Sequence, residues 1–172
     1  MGQYVTVNVS QLQDFAARLT AAGAGDLRKE FNTWLDGIGN EFLRIVSEEI
    51  IRRQVVDTRL LLNSFTRGNA NNVWTLTEGA LTLEVGTNVE YAQYVNDGHK
   101  LNPAGVDRRW VPGYWNGDHF TYQPGAKTGM LLKQKWIEGK HYWEAAVRII
   151  EQMMPRLIEA KLNQWLSKYF GV

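Results

Sequence analysis

The side chains best suited to hold a metal ion are three histidines, His99, His119 and His141, with Asp97, Asp107 and Asp118 as carboxylate partners. Their spacing argues against it: neither HxxxH nor HExxH occurs, so residues distant in sequence would have to converge. Ser64 could serve as a nucleophile, but no GxSxG elbow surrounds it. Glu48-Glu49 and the pair Asp36/Glu41 bring two carboxylates close together, the arrangement general acid–base work needs. On a helix such pairs are ordinarily solvated faces, and we read them so. GxGxxG and GxxxxGK[ST] are absent, which removes dinucleotide and P-loop sites. The chain has no cysteine, which removes disulfides, thiolate catalysis and zinc-thiolate sites together. A hydrolase combining Glu or Asp with His119 is the enzymatic alternative, and no acid pair stands in a recognisable setting for it. We expect neither enzymatic activity nor a cofactor.

The elements that would position these residues read as follows. Residues 4–9 alternate like a strand, Ser10 suits an N-cap, and Leu12, Phe15, Ala16 and Leu19 give a short amphipathic helix. Gly23-Ala24-Gly25 breaks it, and Asp26 can cap a longer helix. In that helix Phe31, Leu35, Ile38, Phe42 and Ile45 step by three and four, a narrow stripe, and it continues to about Arg53. Gly37 and Gly39 within it suggest a close approach to the backbone. Leu60, Leu61, Leu62 and Phe65 make another helical turn or two. Val73–Thr77 and Leu81–Val85 alternate around Glu78-Gly79-Ala80, a β-hairpin pattern. Tyr91, Ala92, Tyr94 and Val95 form a short helix closed by Asn96-Asp97-Gly98. From His141 a long apolar stripe runs to Tyr169, and Pro155 within it predicts a kink or two abutting helices.

Residues 100–128 differ in composition. They hold Pro103, Pro112 and Pro124, many glycines, and five large aromatics. We expect a partner-facing loop, with Trp110–Val111 and His119–Tyr122 pairing across Pro112–Asp118 and a further strand over Met130–Trp136. The chain has 7 Trp, 7 Tyr and 6 Phe, more than a core of this size accommodates, which points to an interface. The candidate interface is Arg109, Trp110, Tyr114, Trp115, Phe120 and Tyr122.

At 172 residues the chain suits one domain carrying an insert at about 100–128. Net charge is +1, too balanced for chain-wide nucleic-acid binding, although residues from Lys127 onward carry a local excess of +4. A small nucleic-acid-binding module using the basic aromatic stretch 100–122 is the rival reading, and we favour protein as the partner. No stretch is long and apolar enough to span a membrane, and MGQYVTVNVS lacks the pattern of a secretory signal.

Three segments resemble one family, the small tail-component proteins that tailed phages use near the head–tail joint. The most specific is VGTNVEYAQYVNDGH, Val85–His99, with its Tyr-Ala, aromatic-valine and Gly-His elements at Tyr91, Ala92, Tyr94, Val95, Gly98 and His99. The second is VDTRLLLNSF, Val56–Phe65, in which Arg59 stands where the family has glycine. A helix start capped by Asp57 or Thr58 is therefore expected there in place of a tight turn. The third is the last helix, entered by His141–Val147 with Ala145 and Ala146. The insert resembles versions found in prophages and headless contractile tail particles.

The resemblance implies an α+β fold, N-terminal helices and a long C-terminal helix packed on a small, mainly antiparallel sheet. It implies a non-enzymatic virion protein, assembled in the bacterial host cytoplasm, that completes the tail or joins it to the head. Its partners would be further copies of itself in a ring, a hexamer by expectation, together with a tail terminator, the tail tube or sheath and head-side connector proteins. DNA would pass through the channel. On this reading Tyr91, Ala92 and Val95 dock the short helix on the sheet, Gly98 launches the insert, and Trp110, Tyr114 and Trp115 anchor on a neighbour.

Overall fold

A computed structural model describes residues 14, 17–20, 23, 27–55, 59–77 and 82–171. The expected strand over 4–9, the caps at Ser10, Asp26 and Asp57 or Thr58, and the Glu78-Gly79-Ala80 turn lie outside them. The described elements are α1 (Leu27–Arg52), α2 (Leu60–Ser64), β1 (Asn72–Thr77), β2 (Thr82–Thr87), α3 (Ala92–Asp97), β3 (Gly98–Lys100), β4 (Arg108–Asn116), β5 (His119–Tyr122), β6 (Gly129–Lys133), β7 (Trp136–Glu138) and α4 (Tyr142–Phe170). The fold is α+β, and every described strand pair is antiparallel. The sheet is not continuous: it is divided into β1–β2, β3–β7 and β5–β4–β6. The chain forms two compact units, one from the described residues up to Val89 with those from Trp143, the other Glu90–Tyr142.

In the first unit α1 buries Gly39, Phe42, Leu43, Ile45, Val46, Glu49 and Ile50. This is a broad face confined to the C-terminal half, whereas Phe31, Leu35 and Ile38 of the expected narrow stripe are only half-buried. The helix crosses the β1–β2 hairpin at Gly39. A Cβ there would collide with Leu83 and stand 2.6 Å from the Trp74 ring. Gly37 faces open space, so the close approach belongs to Gly39 alone. The Arg67 guanidinium lies over the Trp74 ring, 4.2 Å from its centre, and clasps Asp36 through two hydrogen bonds of 2.7 Å. Trp143, at the start of α4, sets its ring edge-on to Phe42 (5.2 Å) and beside Phe65 (6.2 Å), and Ala146 is fully buried one turn on.

The 29-residue α4 runs through Pro155 as one helix. Pro155 is exposed. The carbonyl that loses its helical donor there can therefore bond to water, and the expected division into two helices does not occur.

The second unit replaces the expected loop with sheet. β4 is nine residues long and turns tightly at Gly117-Asp118 into β5, pairing Gly113 with Tyr122 and Asn116 with His119. Trp110 and Val111 pair instead with Leu131 and Met130 of β6. The expected partnership of Trp110–Val111 with His119–Tyr122 is thus corrected. Pro112 stays within β4, where its carbonyl accepts from the Gln123 N–H at 3.1 Å. The expected strand over Met130–Trp136 is two strands, because Gln134 and Lys135 turn aside to bond Asp107 and Leu101.

Candidate assembly interface

Ser64 occupies a position at which it cannot act as a nucleophile on an outside substrate. Its side chain is fully buried, its hydroxyl donates to the Leu61 carbonyl (2.7 Å) and it accepts from Thr87 Oγ1 (2.7 Å). Thr87 Oγ1 in turn accepts from the Val89 N–H (3.1 Å), and Asn72 Nδ2 donates to the carbonyls of Ser64 and Gly86. The serine of the second motif therefore ties α2 to the end of β2, where the third-from-last strand residue leads into the first motif.

Glu49 corrects the reading of Glu48-Glu49 as a solvated pair. It is buried, and it receives hydrogen bonds from Arg52 (2.5 and 2.8 Å) and Arg53 (2.9 Å). The Arg52 hydrogen bonds, more than the Arg53 one, hold its carboxyl below the usual carboxylate range. Asp36 and Glu41 are taken up by Arg67 and Arg44. At the other end of α1, Glu30 meets Lys168, Tyr169 and Lys161 of α4, and the hydrogen bond from Lys168 leads in lowering its pKa. Among the described residues no group of three or more His, Asp or Glu is arranged to hold a metal.

The segment Tyr91–His99 forms the root of the second unit. A six-residue helix leaves its last carbonyls without helical donors. Here the returning chain supplies donors to two of the last four: Lys140 N–H donates to the Val95 carbonyl (2.9 Å) and His141 N–H to Asn96 (3.0 Å), while the Tyr142 hydroxyl reaches the Ala92 carbonyl at the start of the helix (3.3 Å). The Gly98 N–H donates to the Tyr94 carbonyl as the cap, with His99 Nδ1 3.3 Å from the same oxygen. Gly98 has φ +85°, and a Cβ there would stand 2.6 Å from the Ile137 carbonyl and 2.8 Å from the Gly139 nitrogen. Gly139 meets the Asn96–Gly98 backbone just as closely. Two backbones cross where only glycines fit, and the insert enters and leaves through that crossing. Ala92 and Asn96 are the buried residues of α3; Tyr91 and Tyr94 are exposed and Val95 half-buried. Of the three residues expected to dock the helix, Ala92 is buried, and Asn96 is buried beside it.

The aromatic residues of the insert fall on two faces of β5–β4–β6, because side chains alternate along a strand and paired residues share a face. Trp110 and Tyr114 share one face with Arg108, Leu131 and Lys133. Arg109, Trp115, Phe120 and Tyr122 share the other with Val111 and Leu132. The sequence pattern offered these six as one patch; the register makes two. Trp110 lies across Gly129, where an added Cβ would stand 2.6 Å from its ring, and it remains 53% exposed. On the opposite face Phe120 covers Gly113, and Trp115 meets Phe120 edge-on at 5.2 Å while staying 57% exposed. Glycines thus seat the rings, and no helix of this unit covers them. Arg108, Leu131 and Lys133 were missed because only the β4–β6 register brings them beside Trp110.

Comparison with known proteins places the chain among the structural components of phage tails. The family described as "Bacteriophage HK97-gp10, putative tail-component" matches residues 13–98, and the chain belongs to that family. The match ends at Gly98, the glycine where the insert leaves α3. Two proteins of Bacillus subtilis (strain 168) are similar to the chain over nearly all of it. The phage-like element PBSX protein XkdI is 42% identical over 162 residues, covering 94% of this chain and 99% of XkdI. YqbI, described as uncharacterized, is 47% identical over 167 residues, covering 95% of this chain and all of YqbI. No solved structure matches the chain significantly. No helix among the described residues is long and apolar enough to cross a membrane.

Proposed function

We propose that this tail component forms a ring that completes or terminates the tail at its head-proximal end, and that the insert sheet makes its contacts with neighbouring subunits. The observation that carries this is the exposure of Trp110, Tyr114, Trp115 and Tyr122, all near half or more, on a sheet that carries aromatics on both faces. Large aromatics left in water on an ordered scaffold are what a protein interface buries. The first unit meanwhile has its own core of Phe42, Val46, Ile50, Phe65 and Ala146. Further copies of the chain, a tail terminator, the tube or sheath and a head-side connector are the partners this role supplies, with DNA passing the inner wall.

Electron microscopy of particles from the parent phage or prophage lacking this gene tests the role. Separate full heads, or unattached or over-long tails, are the expected result. Normally joined particles would overturn it. Strong salt-dependent DNA binding by the purified chain would favour the nucleic-acid module instead.

A further inference from the structure

Two surfaces of this chain are complementary in charge and in length. The first is the Trp110 face of the insert sheet. Arg108 and Lys133 are directly paired across β4 and β6, and next along the same face come Trp110 and Leu131. Like charges directly opposite on a sheet destabilise it. Neither cation makes an ion pair among the described residues. Trp110 is 53% and Leu131 49% exposed, and Tyr114 follows on the same face. From Arg108 to Tyr114 the strand spans about 20 Å.

The second surface lies on α4. Ile158, Leu162 and Leu166 recur every fourth residue and are all exposed, an apolar stripe on the outside of a helix. Glu151 and Glu159 share this side of the helix, are exposed and make no ion pair among the described residues. Glu151 to Leu166 spans about 22 Å at 1.5 Å per residue.

We infer that the Glu151–Leu166 face of α4 in one copy docks on the Trp110 face of the insert sheet in the next copy. This rests on the ring reading given above and supplies its subunit contact. Laid side by side, Glu151 and Glu159, about 12 Å apart along the helix, straddle the Arg108–Lys133 pair, Ile158 and Leu162 flank Trp110 and Leu131, and Leu166 lies towards Tyr114. The carboxylates neutralise the cation pair that the isolated sheet holds against itself. The apolar residues hide the stripe and the indole from water. Two different surfaces on one chain make a head-to-tail contact, and such contacts propagate until a ring closes.

The chain's lack of cysteine makes the test direct. Purified full-length Leu131→Cys and Leu162→Cys variants, one carrying a mass tag, are mixed and oxidised. A crosslinked species joining one copy of each is expected, with each variant alone giving little. The variant carrying both cysteines should yield a ladder ending at the ring. Charge reversal is the second arm. Arg108→Glu with Lys133→Glu should weaken self-association at least about tenfold without shifting the melting temperature, and mixing with Glu151→Lys/Glu159→Lys chains should restore it. Crosslinks confined to like pairs, or self-association indifferent to both charge reversals, would overturn the pairing. So would an Arg108→Glu/Lys133→Glu chain that loses DNA binding yet assembles normally. Light scattering on the unmodified chain separates the two claims: an oligomer that forms without the Leu131–Leu162 crosslink retires this contact and leaves the ring reading standing, and a chain monomeric both alone and in particles retires both.

Discussion

Trp143 and Trp110 show how differently the two units use one side chain. Trp143 is packed between Phe42 and Phe65 beside the fully buried Ala146, and its unit closes a core around it. Trp110 is seated on Gly129 with half its surface in water. Its unit is only three strands and a two-stranded root, too thin to bury rings on either side. The lesson is that the exposed aromatics are not surplus core residues. Trp110 lies on Gly129 and Trp115 against Phe120, contacts that restrict these rings and limit the entropy lost when a partner covers them.

Substitutions should separate these two uses, and the largest effect belongs to the core. Phe65→Ala is expected to cost about 3–5 kcal/mol, because it empties a buried site beside Trp143. Chemical denaturation of the purified chain measures it; a loss below about 1 kcal/mol would mean the ring is not a core element. Next comes the root. Gly98→Ala forces a side chain into a left-handed residue against the Ile137 and Gly139 backbone. A loss of about 2–4 kcal/mol is expected, with hydrogen exchange accelerating in β3 and β7 before it does in α1. Exchange that accelerates first in α1 would contradict the root as the site of damage.

By contrast, Trp110→Ala and Trp115→Ala should leave stability within about 0.5 kcal/mol and yet impair assembly. A melting temperature that falls as far as in Phe65→Ala would assign these rings to a core.

Acid should act on the core unit through Glu49. Its folded pKa is lowered, so its contribution is complete above the unfolded value of about 4.3 and is lost as pH falls through the folded value. Glu49→Gln should flatten the acid side of the stability–pH curve; an unchanged curve would show that the Arg52 and Arg53 contacts carry no linkage.

The smallest effect, and the one of opposite sign, is at Arg59. It takes the N-cap position of α2 at φ +62° with no side-chain cap, a conformation that glycine adopts without strain. The expected cap by Asp57 or Thr58 lies outside the described residues, and the left-handed turn is kept by an arginine. Arg59→Gly should stabilise the chain by up to about 1 kcal/mol, relieved strain outweighing the freedom glycine adds to the unfolded chain. A destabilised variant would show that the turn is unstrained.

The sequence by itself determined the elements whose signals are local. Alternation set the β1–β2 hairpin, the apolar spacing set α1 to within a residue of its end, and Asn96-Asp97-Gly98 closed α3. It also carried the family, because the Tyr91–His99 motif is contiguous. What it left open depended on residues brought together from afar. Glu49 is buried because it lies on the face of α1 that packs into the core, which its neighbours in the chain do not reveal. Asn96 is buried in α3 where the chain returning through Gly139 and His141 meets its backbone. The insert looked like a loop because prolines and glycines obscure alternation, yet Pro112 sits in a strand and Gly113 seats the Phe120 ring. Only the tertiary structure decided which aromatics share a face, since a strand's two faces differ by one residue of register and register is set by the partner strand.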